Sequence, residues 1–184
     1  MKIPVEIQRI RDPDGVSRFK AIVSLEDAIM NSSLNKKLIQ IQKEYSDFIE
    51  NCKIKLEGIN RTRKNRGNAL LKWQLANIIY KFLKSLEMQG FILVNVTEAL
   101  SRDLKISRRQ INYLIEFRVT YPHITLIKRE ISWDKYKELL DIPNPSLRKI
   151  CEQKILKGEL RTRDDIRRFK KEMKQTRFAK TDIA

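Results

Sequence analysis

The segment over 69–88 constrains the fold most, because it is apolar around much of its circumference for the length of a long helix. The main apolar positions recur at helical spacing, at Leu71, Leu75, Ile78, Ile79, Phe82 and Leu86. Trp73, Tyr80 and Leu83 widen this stripe. A helix with so broad an apolar face must be surrounded by other elements. We therefore predict that 69–88 is the central core helix, with Gly90 as its C′ cap.

The composition favours a mainly α-helical protein. Five Gly and five Pro in 184 residues argue against disorder and against an all-β chain rich in turns. Two cysteines and one histidine form no disulfide framework and no zinc site of recognisable spacing. The sequence has no apolar run of about 20 residues and no secretion signal. We expect a cytoplasmic protein with no cofactor, no metal and no membrane association.

The first 60 residues differ from the rest of the chain. Alternating apolar residues on both sides of a turn at Asp12–Gly15 predict a β-hairpin over about 3–24. From Leu25 to about Ile59 the apolar period becomes helical, with a 4-3-4-3-4 stripe at Leu34, Leu38, Ile41, Tyr45, Phe48 and Cys52. This stripe either packs on the chain's own helices or forms a short coiled-coil seam in a homodimer.

Three later helices begin at capping residues. The caps and their helices are Ser132 for 133–140, Ser146 for 147–157 with Gly158 at its end, and Thr162 with Asp165 for a charged helix to about Gln175. We expect the residues from 177 to 184 to form a flexible tail.

The segment from Asn95 to Phe117 carries the functional prediction. Asn95 followed by Glu98 predicts a capped helix to about Leu104, and Ser107 followed by Gln110 predicts a second helix over about 108–118. Two short helices joined by a three- or four-residue turn form the helix-turn-helix arrangement.

The residues from Leu100 to Ile115 resemble the helix-turn-helix family. The apolar sites that lock the two helices together in that family are occupied by Leu100, Leu104, Ile106, Ile111 and Leu114, with the small Ala99 at the crossing. Lys105 stands where the turn usually has Gly. Because a positive φ costs a non-glycine residue about 1 kcal/mol, we expect a turn that is longer or less strained than usual.

The second helix has side chains that suit the major groove of DNA. Arg binds guanine O6 and N7, and Asn or Gln binds adenine N6 and N7, each through two hydrogen bonds. The candidate base-contacting residues are Arg108, Arg109, Gln110, Asn112 and Tyr113. Ser107 and the free N–H groups of that turn can hold a phosphate. The alternative interpretation is a capped helical corner with a solvated basic surface.

The net charge of +16 points to a polyanionic partner and is unevenly placed. Residues 1–60 carry ten cations and nine anions, whereas 61–66 carry +4, 102–118 carry +3 and 148–180 carry +8. Cations in these segments are expected to contact the phosphate backbone. The candidate phosphate-contacting residues are Arg61, Arg63, Lys64, Arg66, Lys105, Ser107, Arg163, Arg167, Arg168 and Lys171.

A wider stretch, from Leu71 to Phe169, resembles the N-terminal helical domain of the YhcG-type family, whose members join it to a predicted nuclease domain. The matching runs are Trp73-Gln74, Ile106 to Ile111, Phe117 with Tyr121-Pro122, Ile131 to Tyr136, Leu139-Leu140, Arg148, and Leu160 to Arg163. The resemblance implies a helical DNA-associated domain. This chain ends where the nuclease domain would begin, so no nuclease activity is implied. Its last third is also similar to helices of ParB-type partition proteins.

Other candidate sites have simpler explanations. Pro13-Asp14 with Glu172-Met173-Lys174 imitates a nuclease pattern by chance, and His123 is interpreted as a loop residue. Trp133 and Tyr136 either stack on an unpaired base or anchor a helix in the core. We interpret Cys52 and Cys151 as small buried hydrophobic residues.

These patterns together predict a mainly α protein with a β-hairpin and long helix over 1–60, which are a candidate region for homodimerisation. A helical DNA-binding domain follows over 61–176, with its helix-turn-helix at about 96–118, and the flexible tail covers 177–184. The predicted function is non-enzymatic binding of double-stranded DNA, in a regulatory, partition or mobile-element accessory role. Two alternatives stay open: a specificity or scaffold subunit whose catalytic chain, such as a nuclease, is separate, and an RNA-binding module.

Overall fold

The apolar segment predicted at the centre of the fold forms a helix, Ala69–Met88. The computed structural model describes residues 2–11, 17–24, 34–61 and 67–181. Within these residues the elements follow in the order β1 (Ile3–Arg11), β2 (Ser17–Ile22), α1 (Leu34–Asn60), α2 (Ala69–Met88), β3 (Phe91–Leu93), α3 (Val96–Leu104), α4 (Arg108–Thr120), a 3₁₀ turn (Ile124–Leu126), α5 (Trp133–Leu140), α6 (Pro145–Leu156) and α7 (Arg163–Thr181). The fold is mainly helical, as predicted, with a small mixed sheet.

Helix α2 is surrounded by other elements, since α1, α4, α5 and β3 all pack against it. It begins after Asn68, whose side-chain oxygen accepts a hydrogen bond from the N–H of Leu70 (3.0 Å). It ends before Gly90, whose φ of +86° is unfavourable for residues with a side chain. Leu75 and Ile79 are fully buried on its inner side. The predicted core helix is confirmed. Among the described residues, no helix is long and apolar enough to span a bilayer.

The predicted hairpin over 3–24 is confirmed in the strands that the structure describes. β1 and β2 pair antiparallel, with Glu6 opposite Ile22 at one end and Arg11 opposite Ser17 at the other. The turn predicted at Asp12–Gly15 lies outside the described residues.

Strand β3 was not predicted, and it makes β1 the central strand of a three-stranded sheet. β3 runs parallel to β1, with Ile3 opposite Phe91. Phe91 and Leu93 are buried while Ile92 is exposed, but an alternation of three residues is too short to predict a strand. The N–H of Ile3 also donates to the carbonyl of Gly90 (2.8 Å), so the hairpin is joined to the end of α2.

Helix α1 packs its apolar stripe inside the chain, against α2 and β2. The buried residues on this side include Leu34, Ile41, Tyr45 and Cys52. The ring of Phe48 stacks on the ring of Phe82, with 4.2 Å between the ring centres. The interpretation as packing on the chain's own helices is confirmed, because these residues are covered within the single chain. A homodimer through residues 1–60 stays a prediction. The predicted start of the helix at 25–33 lies outside the described residues.

Two of the predicted helix caps are wrong, although the helices themselves form close to the predicted positions. Asn95 makes no side-chain capping hydrogen bond; it lies in the left-handed region, at φ +53°. Helix α6 is capped by Asn144, whose side-chain oxygen accepts from the N–H of Leu147 (2.9 Å), and not by Ser146. Pro145 takes the first position of α6, which needs no N–H donor.

The other caps form as predicted. The hydroxyl of Ser132 accepts from the N–H of Lys135 at the start of α5 (3.4 Å). At the start of α7 the bonds are reciprocal: Asp165 N–H donates to the Thr162 hydroxyl (3.1 Å), and Thr162 N–H donates to the Asp165 carboxylate (2.8 Å). α7 continues to Thr181, beyond the predicted end near Gln175, so residues 177–181 of the predicted tail are helical.

A buried carboxylate joins α3 to α1 and to the sheet. Asp103, only 3% exposed, accepts a hydrogen bond from the hydroxyl of Tyr45 (2.8 Å). It also accepts two from the guanidinium of Arg102, which donates to the carbonyl of Ile7 as well. Burial and the adjacent carboxylate raise the pKa of Tyr45, so its hydroxyl stays protonated and donates. These partners offset the desolvation of Asp103.

We expect Asp103→Ala to lower the free energy of unfolding by about 3 kcal/mol, because Tyr45 loses its acceptor and Arg102 its counter-charge. The exposed Asp47→Ala in α1 is the matched control, with an expected change within about 0.5 kcal/mol. Urea denaturation at pH 7 measures both. Equal losses in the two variants would contradict the importance of the buried network.

Candidate nucleic-acid interface

The corner between α3 and α4 is a three-residue connection, Lys105 to Ser107. Lys105 itself lies in the left-handed region, at φ +55°. The expectation of a longer or less strained turn is therefore wrong: the chain keeps the tight turn and accepts about 1 kcal/mol of strain at a lysine. Two hydroxyls support the corner, since Ser101 donates to the carbonyl of Ile106 (2.7 Å) and Ser107 accepts from the N–H of Gln110 (3.3 Å).

The apolar residues predicted to hold the two helices together do so. Leu100, Ile111 and Leu114 are fully buried, and Leu104 is nearly so. Ile106 packs partly buried against the same core. Because these residues fill the angle between the helices, the opposite side of α4 is left at the surface.

Three of the predicted base-contacting residues form an exposed row on α4: Arg108, Arg109 and Asn112. Arg108 is paired with the carboxylate of Glu98 at 3.1 Å, with both side chains largely in solvent. The amide oxygen of Asn112 accepts from the hydroxyl of Thr97 (2.9 Å). An exposed ion pair contributes about 1 kcal/mol at most, so a ligand that bonds to these groups can replace such contacts.

The other two predicted base-contacting residues, Gln110 and Tyr113, are half-buried and lie beside the exposed row instead of in it. The Tyr113 hydroxyl accepts a hydrogen bond from Arg109 (3.1 Å), whose guanidinium also lies 5.5 Å from the ring centre. Gln110 and Tyr113 both line a surface cleft that begins at the N-terminal turn of α4. The five residues are therefore near one another, but Arg109, Gln110 and Tyr113 line the cleft, whereas Arg108 and Asn112 lie outside it.

This cleft has a volume of about 690 Å³ and is lined by residues from five helices. Its lining residues are Ser107, Arg109, Gln110 and Tyr113 from the start of α4; Trp133, Lys137, Glu138 and Asp141 from α5 and its end; Arg163, Arg167 and Lys170 from α7; with Lys72 from α2 and Asn60 from α1. Six of these side chains are cationic and two are anionic, a formal charge of +4. The structure thus brings the start of α4 and the basic C-terminal helix to the same cavity.

The far wall of the cleft is held by the Glu138 cluster, which is Glu138 with Arg163, Arg167 and Lys170. The Glu138 carboxylate lies 3.0 Å from Arg163 and 2.8 Å from both Arg167 and Lys170. Burial alone would raise the pKa of Glu138, but the hydrogen bonds from these three cations outweigh it and lower the pKa to about 2. One carboxylate therefore fixes the direction of three cations along the cleft.

Lys72 on the floor of the cleft was missed in the sequence. It is only 6% exposed, and no carboxylate of the described residues lies within ion-pairing distance of its ammonium group. Burial and the charge of Lys137 lower the pKa of Lys72. The signal was available, because Lys72 falls on the same helical side as Leu75, Ala76 and Ile79, where a charge is unexpected.

Four of the remaining predicted phosphate-contacting residues belong to the basic segment 61–66. Arg61 is exposed at the end of α1, next to Asn60 in the cleft lining, while Arg63, Lys64 and Arg66 lie outside the described residues. The N–H of Trp133, which lines the cleft, donates to the carbonyl of Gly67 (3.0 Å), so Gly67 lies next to the cleft wall.

Three further candidates are exposed but do not line the cleft. Lys105 lies at the corner between α3 and α4. Lys171 lies beside Pro143 on a neighbouring surface, and Arg168 lies on another side of α7, next to Phe169. Only part of the predicted phosphate-contacting set therefore surrounds one cavity.

The other candidate residues are mostly structural. Trp133 and Tyr136 are buried and contact Phe117, which confirms the core interpretation and excludes stacking on a free base. Cys52 and Cys151 are buried thiols, as expected. Among the described residues, no group of three or more His, Cys, Asp or Glu is placed to hold a metal ion.

Comparison with protein-family models, with curated proteins and with solved structures finds no match to this chain. The resemblances to the helix-turn-helix, YhcG-type and ParB-type families stay predictions from the residues. The functional conclusion therefore depends on two features of the chain itself: the exposed row of α4 and the cationic cleft beside it.

We expect Glu138→Gln to lower the free energy of unfolding at pH 7 by about 3 kcal/mol, since three cations lose their counter-charge. The folded-state pKa is about 2 against an ordinary 4.5, so the ionised carboxylate stabilises the fold fully above about pH 5. That contribution is lost as the pH falls from 4.5 toward 2. The difference between wild type and variant should therefore narrow over this window in urea denaturation.

The control for this pH series is Asp164→Asn. Asp164 pairs with Arg167 at 3.3 Å but is 80% exposed, so its removal should change the stability by less than about 0.5 kcal/mol at pH 7. A stability difference for Glu138→Gln that does not change between pH 7 and pH 2.5 would contradict the ionic role of this carboxylate.

Proposed function

We propose that this chain is a non-enzymatic double-stranded DNA-binding protein in which α3 and α4 act as a helix-turn-helix and α4 enters the major groove. The observation that carries the proposal is the exposed row Arg108, Arg109 and Asn112 at the N-terminal end of α4, directly beside a cleft of charge +4. In helix-turn-helix proteins the N-terminal residues of the second helix contact base edges.

Sequence preference comes from the exposed row in this proposal. The major groove is about 12 Å wide and admits one α-helix, and the three side chains of this row on α4 are exposed. Arg108 and Arg109 are suited to guanine, and Asn112 to adenine. Bases that bond to Arg108 and Asn112 would replace the exposed contacts of these residues with Glu98 and Thr97.

Affinity comes from the cations around the row. The start of α7 and Lys137 of α5 line the same cleft as Arg109, so a backbone that passes along α4 meets the cations of these helices. Backbone contacts position a protein on the duplex and carry no sequence information themselves. The nearly neutral residues 1–60 supply α1 and two of the three strands of the sheet, and α1 is one of the elements that pack on α2.

The biological roles that fit are those predicted from the sequence: a regulator, a partition factor or an accessory protein of a mobile element. The likeness of 71–169 to the YhcG-type helical domain supports DNA association in each of them. A separate catalytic chain, such as a nuclease, is compatible with the same binding mode.

Selection of bound sequences from random duplex DNA tests the proposal. We expect an enriched motif with guanine and adenine at adjacent positions. One copy of the motif in the selected duplexes would indicate that one chain binds, and two copies would indicate a dimer. Absence of an enriched motif would overturn base reading by α4. Stronger binding to single-stranded or hairpin RNA than to any duplex would replace double-stranded DNA as the ligand.

We expect Arg108→Ala and Asn112→Ala each to weaken binding to the selected duplex by about 1–3 kcal/mol and to relax the preference at one base pair. Both side chains make only exposed contacts, so the melting temperature should stay within about 2 °C. Lys81→Ala, an exposed cation on α2, is the control with the same loss of charge as Arg108→Ala. An unchanged motif in both row variants would contradict the assignment.

We expect Lys171→Ala, by contrast, to weaken binding to all duplex sequences alike. Loss of one phosphate contact should reduce the slope of log K against log salt by about 0.9. Arg129→Ala is the control, since Arg129 is exposed in the loop before α5 and is not among the predicted contacts. An equal slope in wild type and in Lys171→Ala would contradict a backbone contact at this residue.

A further inference from the structure

The unusual group in the cleft is Lys72, because a buried lysine is normally paired. Its side chain is 6% exposed and lines the cleft. Asp134 affects it only at longer range, and that carboxylate is bound to Lys137 at 2.6 Å. The ammonium group thus has the desolvation of a buried charge without an ion pair among the described residues. A bound anion would supply the counter-charge that Lys72 lacks among the described residues.

The start of α4 supplies a second reason to place an anion here. α4 is 13 residues long, and its first turn lines the cleft through Ser107, Arg109 and Gln110. The N–H of Gln110 is bonded within the turn to Ser107, whereas the preceding N–H groups, of Arg108 and Arg109, come too early to have an intrahelical partner. These groups and the helix dipole favour a negative charge at this end.

The cations on the opposite wall of the cleft contribute positive potential but do not contact the ligand themselves. Arg163, Arg167 and Lys170 are bonded to Glu138, so they are fixed in place and keep a positive excess along the cleft. Lys137 stands near enough to Lys72 to repel it. An anion between the two ammonium groups would convert this repulsion into attraction. The volume of about 690 Å³ admits a phosphate group with its attached sugar.

We propose that the cleft is a phosphate-binding site in which Lys72 contacts the phosphate oxygens from the floor and the N-terminal turn of α4 contacts them from the side. The chemical class of the ligand is a tetrahedral phosphate, and its source is a backbone phosphate of the DNA that α4 contacts. That choice of source rests on the proposed function. Lys72 then fixes the depth at which the backbone lies against α4.

The experiment follows the ε-CH₂ signal of Lys72 by NMR in the full chain labelled with ¹³C-lysine, with Lys72→Met for assignment. Inorganic phosphate is added first, and a duplex from the selection second. We expect saturable shifts of the Lys72 signal with both ligands. The signal of Lys81, an exposed lysine on the same helix, should shift far less and without saturation.

The affinity measurement uses the matched variants Lys72→Met and Lys81→Met. Loss of a direct phosphate contact should weaken duplex binding about tenfold in Lys72→Met and about twofold in Lys81→Met. Methionine has nearly the length of lysine and carries no charge to desolvate, so Lys72→Met should unfold at an equal or higher urea concentration than wild type. Unfolding at a lower urea concentration would show a structural role and overturn the proposal.

The two ligands separate failure of this site from failure of the proposed function. Saturable shifts with inorganic phosphate but no duplex binding would keep the phosphate site and overturn DNA as its source. Duplex binding with an enriched motif, but no Lys72 shift with either ligand and equal affinities of the two methionine variants, would overturn the phosphate site alone.

Discussion

The buried carboxylate of Glu138 is the interaction on which the arrangement of the basic surface depends. Among its described side chains, α7 buries only Ile166 fully, so apolar packing alone positions this helix weakly. Glu138 compensates by bonding Arg163, Arg167 and Lys170, which are placed on one side of α7 by their helical spacing. Without this carboxylate the most basic helix of the chain would repel α5 and the cleft would lose its far wall.

The cleft contains two buried charges, Glu138 and Lys72, whose surroundings are opposite in kind. Glu138 has three cationic partners for one negative charge, whereas Lys72, on the facing side, has no ion-pair partner among the described residues. The first arrangement stabilises the fold, and the second lowers its stability because a charge is desolvated without compensation. In the proposed phosphate site, this unfavourable charge serves the ligand and not the fold. Stability and binding therefore have different residues within one cavity.

Local patterns in the sequence were sufficient for most of the helices. The 69–88 stripe, the Ser132 cap and the Thr162–Asp165 pair are short-range features, and the structure bears each of them out. The errors are also local. Asn144 caps α6 in place of Ser146, because Pro145 suits the first position of the helix. Strand β3 could not be found, since its only reason to be extended is pairing with β1, far away in the chain.

The sequence by itself determined the helical class, the approximate positions of the helices and the division of the charge between a neutral N-terminal third and basic segments after it. These follow from spacing and composition, which act over a few residues. Only the tertiary structure decided that α7 and the start of α4 line one cleft, that Glu138 binds three cations, and that Lys72 is buried in the same cleft. Such neighbours are separated by tens of residues, and packing alone determines which of them come into contact.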